Sequence, residues 1–131
     1  MSKKIPRPTD AELAILDVLW ARGQATVREV YEALYENDGG GYTTALKLLQ
    51  VMHGKGIVER DDSQRAHVFR AVVSRDAARV RLLGPIVQQL FGGRPMDLVL
   101  SVLGTGESPK PEELAQVREL LDRLERERDG R

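Results

Sequence analysis

The sequence predicts a mainly α-helical chain with one small β-hairpin, organised in two parts. Two observations predict the first part: successive helix-start signals before apolar stripes, and two strand-like segments joined by a polar link. A leucine repeat near the end of the chain predicts the second part, because such repeats pair helices. Together they favour a winged helix-turn-helix over residues 1–75 and a helical dimerisation region over residues 76–131.

Capping boxes predict the first two helices. In a capping box, a Thr and a Glu three residues later satisfy backbone N–H groups at a helix start. Thr9 and Glu12 begin a well-buried helix over residues 10–21, and Thr26 and Glu29 begin the second helix. The apolar stripe of the second helix is formed by Val27, Val30, Tyr31 and Leu34.

The third predicted helix, residues 43–53, has two faces of different character. Its apolar stripe is formed by Ala45, Leu48, Leu49 and Met52. At 100° per residue, Thr43, Lys47 and Gln50 fall on the opposite face, which ends at Gly54. A polar face this short suits the major groove of DNA, although it could also be an ordinary solvated surface.

A β-hairpin is predicted directly after the third helix. Residues 57–60 and 67–73 have strand character, and the polar segment 61–66 between them has the length of a hairpin loop. Three short helices followed by a hairpin, in this order, form the plan of a winged helix-turn-helix.

The remaining residues predict three helical pieces. The first begins at Ser74 and should kink or break at Gly84–Pro85, and a short apolar helix follows over residues 96–103. In the last helix, residues 111–128, an a/d heptad seam is formed by Leu114, Val117, Leu121 and Leu124. Three such pieces are too few to close a large core, so a dimer is predicted.

The composition restricts the chemistry of the chain. It has no cysteine, no apolar run long enough for a bilayer, and equal numbers of basic and acidic residues, 20 of each. We therefore predict a cytoplasmic protein without membrane insertion. His53 and His67 are far apart and no nucleophile–base arrangement is present, so we predict no metal, no cofactor and no enzymatic activity. A net charge of zero gives no support to a nucleic-acid partner.

Three stretches resemble a known family. "PTDAELAILDVLW", "YTTALKLLQVMHGKGIVER" and "SQRAHVFRA" are similar to the opening helix, the recognition helix with the first wing strand, and the wing of the BlaI/MecI penicillinase-repressor family of bacterial winged-helix regulators. The kinked helical tail is similar to the dimerisation region of that family. The resemblance covers nearly the whole chain, and its specificity comes from the order of the motifs.

The resemblance implies a homodimeric transcriptional repressor that binds a palindromic operator in double-stranded DNA. Family members are often inactivated when a membrane-bound sensor protease triggers their cleavage near the dimerisation region, at an Asn-Phe pair. The matching stretch "VQQLFGGRPM" has Phe91 but no asparagine. A related branch senses copper through cysteines, which this chain lacks.

The predicted DNA-binding residues are Tyr42, Thr43, Thr44, Lys47, Gln50 and Arg65. Lys47 can donate to guanine or phosphate, and Gln50 can pair with adenine. Arg65 lies at the predicted wing tip, where Asp61 and Asp62 would repel phosphate unless they turn toward the protein or hold the turn. The alternative function is a winged-helix protein-interaction module that does not bind DNA.

Overall fold

A computed structural model describes residues 7–130. Its elements, in chain order, are α1 (Asp10–Arg22), β1 (Ala25–Thr26), α2 (Val27–Leu34), α3 (Tyr42–Gly54), β2 (Val58–Asp61), β3 (Val68–Ala71), α4 (Arg75–Phe91), α5 (Pro95–Thr105) and α6 (Pro111–Asp129). The chain divides into two compact units, one up to Pro85 and one from Ile86. The functional boundary predicted at residue 75 stays a prediction.

Both capping boxes are confirmed, and they define the starts of α1 and α2. The N–H of Thr9 donates to Oε1 of Glu12 at 2.9 Å, and the N–H of Glu12 donates to Oγ1 of Thr9 at 3.2 Å. Thr26 and Glu29 repeat this geometry. Helix α1 ends at Gly23, whose φ of 87° is a left-handed conformation that favours glycine.

One core holds α1, α2, α3 and the strands of the first unit together. Its buried members are Ile15, Leu16, Leu19, Ala25, Val27, Val30, Ala45, Leu49, Met52, Ile57, Val58 and Phe69. The predicted stripes supply most of them. Because α3 contributes its inner face to this core, its position on the domain surface is set by packing rather than by loops.

The predicted hairpin is present, and a third strand joins it. The antiparallel order is β1-β3-β2, with Glu59 opposite Arg70 in the hairpin and Ala25 opposite Phe69 on the other side of β3. Strand β1 was not predicted, because two residues are too few to show an alternating pattern. It joins the start of α2 to the second wing strand.

The start of α4 is anchored to α1. Nε1 of Trp20 donates to the carbonyl of Val73 at 2.8 Å, and the guanidinium of Arg75 lies 5.6 Å from the Trp20 ring centre. Arg75 also pairs with Asp17 at 2.9 Å. These contacts hold the residues that follow the hairpin against the first helix.

Of the kink or break predicted at Gly84–Pro85, the break does not occur, because α4 is one continuous helix through Pro85. A proline removes a single helical hydrogen bond, here the one to the carbonyl of Arg81. Arg81 is exposed, so water can satisfy that carbonyl.

The second unit differs from the first in having almost no buried apolar surface. Helices α5 and α6 contain no buried residue, although α5 is apolar on most of its sides. Exposed apolar side chains include Met96, Val99, Leu100, Val102, Leu103, Leu120, Leu121 and Leu124. No helix in the described range is both long and apolar enough to span a bilayer.

Candidate nucleic-acid interface

Helix α3 separates a core-facing side from a solvent-facing side. Ala45, Leu49 and Met52 are fully buried, whereas the polar residues predicted to read DNA are exposed. Those exposed residues are Thr43, Thr44, Lys47 and Gln50. The structure therefore brings them onto one accessible surface, the α3 face, and their substitution would leave the core intact.

The N-terminus of α3 lies at one end of this face. Gly41 is the N-cap and has no side chain to accept from the first N–H groups, while the N–H of Thr44 donates to the Gly41 carbonyl at 3.1 Å. Free N–H groups at a helix start, with the positive end of the helix dipole, attract anions. Thr43 and Thr44 belong to this first turn.

Asp61 and Asp62 make contacts within the wing turn itself. Oδ1 of Asp61 accepts from the N–H of Ser63 at 2.9 Å. Hydrogen bonds from the Ser63 side chain and backbone lower the pKa of Asp61. Oδ1 of Asp62 lies 2.7 Å from Nε of Arg60 in an ion pair. The two carboxylates thus stabilise the loop that presents Arg65.

A groove connects the wing, the start of α2 and the start of α3. Its lining residues are Thr26, Val27, Arg28, Tyr42, Leu46, Arg65, Ala66 and His67. The groove brings together Tyr42 and Arg65, which are 23 positions apart in the sequence. It also adds Arg28, which the sequence prediction missed. Its lining includes two arginines and no carboxylate.

Arg28 could have been suspected from one signal, its position directly after the first residue of α2. Arg28 is exposed although its neighbour Val27 is buried, and β1 places the start of α2 beside β3 of the wing. The pairing of β1 with β3 was not predicted, so the proximity of Arg28 to the wing could not be inferred.

Several carboxylates of the first unit are neutralised by ion pairs, whereas basic side chains of the candidate interface are not paired. In the first unit, pairs form between Arg22 and Glu29, Lys55 and Glu12, Arg60 and Asp62, Arg70 and Glu59, and Arg75 and Asp17. Within residues 7–130, Arg28, Lys47 and Arg65 form no ion pair with a carboxylate. Positive charge is therefore left available along the α3 face and the groove.

The C-terminal end of α3 is joined to α1 by an ion pair with a buried carboxylate, which the sequence did not reveal. Nζ of Lys55 lies 2.9 Å from Oε2 of Glu12, which is 1% exposed. Burial raises the pKa of Glu12, but the Thr9 N–H and Lys55 outweigh it, and the pKa is lowered overall. This contact joins the C-cap residue of α3 to the first turn of α1.

The predicted dimerisation seam lies on α6. Leu114 and Val117 are half-buried, while Leu121 is 46% and Leu124 is 47% exposed. Leu120 is also exposed and lies next to Leu124 on the flank of the predicted seam. Across the residues that the structure describes, no three His, Asp or Glu side chains come together in an arrangement able to hold a metal.

The three-helix core, the three-stranded wing and the exposed α3 face define a winged-helix protein. The chain belongs to the penicillinase repressor family, because the family model described as "Penicillinase repressor" matches residues 8–123. This confirms the resemblance inferred from the sequence. The family is one of repressors and not of enzymes.

Individual relatives agree with this assignment. The chain is 39% identical over 74 residues to the "Transcriptional regulator BlaI" of Mycobacterium tuberculosis strains CDC 1551 / Oshkosh and ATCC 25618 / H37Rv. That match covers 56% of this chain and 54% of the relative, so the chain spans about half the length of the curated relatives it matches.

Two solved structures are similar in fold. The DNA-binding domain of the repressor BlaI matches with a TM-score of 0.50 and 26% identity, over 56% of this chain and 90% of that one. A MarR family protein from Bacillus stearothermophilus matches with a TM-score of 0.50 and 23% identity, over 95% of this chain and 77% of that one. At that identity the second match shows the fold alone.

Proposed function

We propose that this protein represses transcription by binding, as a homodimer, to a palindromic operator in double-stranded DNA. The observation that carries the proposal is the α3 face, a polar surface on a rigid helix, flanked by a groove lined by Arg28 and Arg65. Membership of the penicillinase repressor family supports the same function. An operator-binding protein of this bacterial family would act in the cytoplasm, where the DNA is.

In this proposal, α3 enters the major groove and reads base edges. Lys47 donates to guanine O6 and N7 or to phosphate, and Gln50 makes paired hydrogen bonds with adenine. Each such contact contributes about 1–3 kcal/mol of discrimination between bases.

The groove residues would bind the phosphate backbone rather than the bases. Arg28 and Arg65 both line the groove, one from α2 and one from the wing, together with Tyr42 at the uncapped start of α3. Phosphate contacts of this kind position a protein on the duplex without reading sequence. The ring of Tyr42 packs edge-to-face against that of Tyr31, with 6.1 Å between the ring centres. Tyr42 would thereby hold the start of α3 in place while it lines the groove.

The second unit would pair two chains. Its helices α5 and α6 bury none of their own residues, and their exposed apolar side chains need a partner surface to leave water. A symmetric dimer presents two copies of α3 related by a two-fold axis, which matches a palindromic operator. The proposed seam contains Leu114, Val117, Leu121 and Leu124.

A sensor protease is a proposed partner in relieving repression. Phe91 ends α4, and Gly92 and Gly93 follow with φ of 57° and 81°. Cleavage here would separate the DNA-reading residues from the seam, and so remove the gain in affinity from linking two modules. The absence of an asparagine before Phe91 means that the protease would need a different cleavage preference.

Selection of bound duplexes from random DNA tests the main proposal. The purified chain should enrich an inverted repeat, and its binding should weaken steeply with salt, because neutralised phosphates release counterions. Lys47→Ala should change the enriched half-site, whereas Arg79→Ala, a charge removed from the exposed surface of α4, should not. Failure to enrich any duplex, with no salt dependence, would favour the protein-interaction module.

A further inference from the structure

Val51 is an apolar residue on a helix face that is otherwise polar. It lies one turn beyond Lys47 on α3 and is 49% exposed. It does not belong to the core cluster or to the residues packed against that cluster. Viewed along the helix axis, Val51 and Thr44 lie on the same edge of the α3 face, on the side away from Leu46 and the groove.

The fold itself gives no reason for valine at this position. A β-branched residue is a weaker helix former than Ala, Leu, Lys or Gln, and this residue leaves 49% of its surface exposed. Single exposed apolar residues are common on protein surfaces. The position of this one is what distinguishes it, because it shares the proposed base-reading face with Lys47 and Gln50.

We propose that Val51 packs against the C5-methyl group of a thymine and thereby specifies that base in each half-site. The thymine methyl is the apolar group that base edges present in the major groove, and apolar side chains are its usual partners. This inference rests on the proposed function and extends it, since it assigns thymine to one position of the operator.

The geometry of α3 also gives the location of that thymine. Val51 follows Lys47 by four residues, which is about 6 Å along a helix axis. Successive base pairs are spaced about 3.4 Å apart, so a helix lying along the groove places the two contacts about two base pairs apart. The thymine should therefore lie about two steps from the base pair whose preference changes in Lys47→Ala.

Replacement of thymine by uracil tests the contact, because it removes only the methyl group. Each thymine of the selected half-site is replaced in turn, and affinity is measured for the parent and for Val51→Ala. At one position, uracil should lower the affinity of the parent about fourfold, the value of one buried methyl group. The same replacement should leave the affinity of Val51→Ala unchanged. Val72→Ala, a 45% exposed valine outside α3, should respond to uracil as the parent does.

Two results would overturn the inference while leaving the proposed function standing. One is a parent protein that binds every uracil-containing operator as well as the thymine operator. The other is a uracil effect of the same size in Val51→Ala as in the parent. A chain that selects no duplex at all would instead remove the proposed function, and the inference with it. Thermal unfolding of Val51→Ala should match the parent, so a folding defect cannot imitate the predicted loss.

Discussion

The ammonium group of Lys55 lies 2.9 Å from Oε2 of Glu12, although 43 positions separate the two residues in the sequence. The Glu12 carboxylate is buried at the start of α1. Glu12 also closes the capping box with Thr9. A single carboxylate therefore caps one helix and anchors the end of another. Since α3 carries the proposed base-reading residues, the pair links the stability of the core to the placement of the DNA-binding face.

Glu12→Gln should lower the free energy of unfolding by about 1–2 kcal/mol, because a buried charged partner of Lys55 is lost while the amide oxygen can still accept from Thr9. Chemical denaturation measures this change. Glu29→Gln is the matched control: it has the same capping-box geometry with Thr26, but its ion pair with Arg22 is exposed. The control should cost less than about 1 kcal/mol. Equal losses of unfolding free energy in the two variants would show that the burial of Glu12 adds nothing to the strength of its ion pair.

The lowered pKa of Glu12 predicts a specific dependence of stability on pH. Because its pKa in the folded protein lies below the ordinary value of 4.5, the contribution of this group is fully present above about pH 4.5. It is lost as pH falls through the lower, folded-state pKa. The difference in unfolding free energy between the parent and Glu12→Gln should therefore shrink below about pH 4.5. A difference that stays constant in acid would show that the charge of Glu12 does not stabilise the fold.

Lys47→Ala and Gln50→Ala should each weaken binding to the selected operator by about 1–3 kcal/mol if their side chains pair with base edges. Both residues are exposed, so unfolding temperatures should hardly change. Titration of labelled operator and of an unrelated duplex gives the specific and non-specific affinities of each variant. Two variants with parental affinity for the operator would remove α3 as the recognition helix.

Arg28→Ala and Arg65→Ala should weaken binding to all duplexes by similar factors. Each substitution should also make the slope of log affinity against log salt concentration shallower by about one unit, as expected when one phosphate contact is lost. Arg79→Ala serves as the control for a removed surface charge. If the loss at either position depended strongly on base sequence, that arginine would be reading bases or groove shape instead.

Leu121→Lys should produce a monomer at micromolar concentration, because a charge in the proposed seam would be desolvated without a partner. The first unit has its own core and should stay folded. Operator affinity should fall by a factor of order 10²–10⁴, the usual gain from linking two binding modules. Sedimentation and DNA binding on the same sample check both parts. A variant that stays dimeric, or a monomer with parental operator affinity, would refute the proposed role of the seam.

The helices of the first unit could be predicted from the sequence because their signals are local. A capping box joins residues three apart, and an apolar stripe repeats every three or four residues, so both are visible without knowledge of the fold. The polar side of α3 follows from the same periodicity. The exposed positions of Lys47 and Gln50 can therefore be predicted without any tertiary contact.

The remaining features depended on contacts between residues far apart in the chain, which no local pattern encodes. Glu12 could be predicted as a cap but not as the buried partner of Lys55, because its burial depends on how α3 crosses α1. Arg28 became part of the candidate interface only because the two-residue strand β1 pairs with β3 and brings α2 beside the wing. The sequence by itself determined which segments are helical and which faces are polar. The tertiary structure decided which charges meet, because ion pairing and groove formation depend on distances that only packing sets.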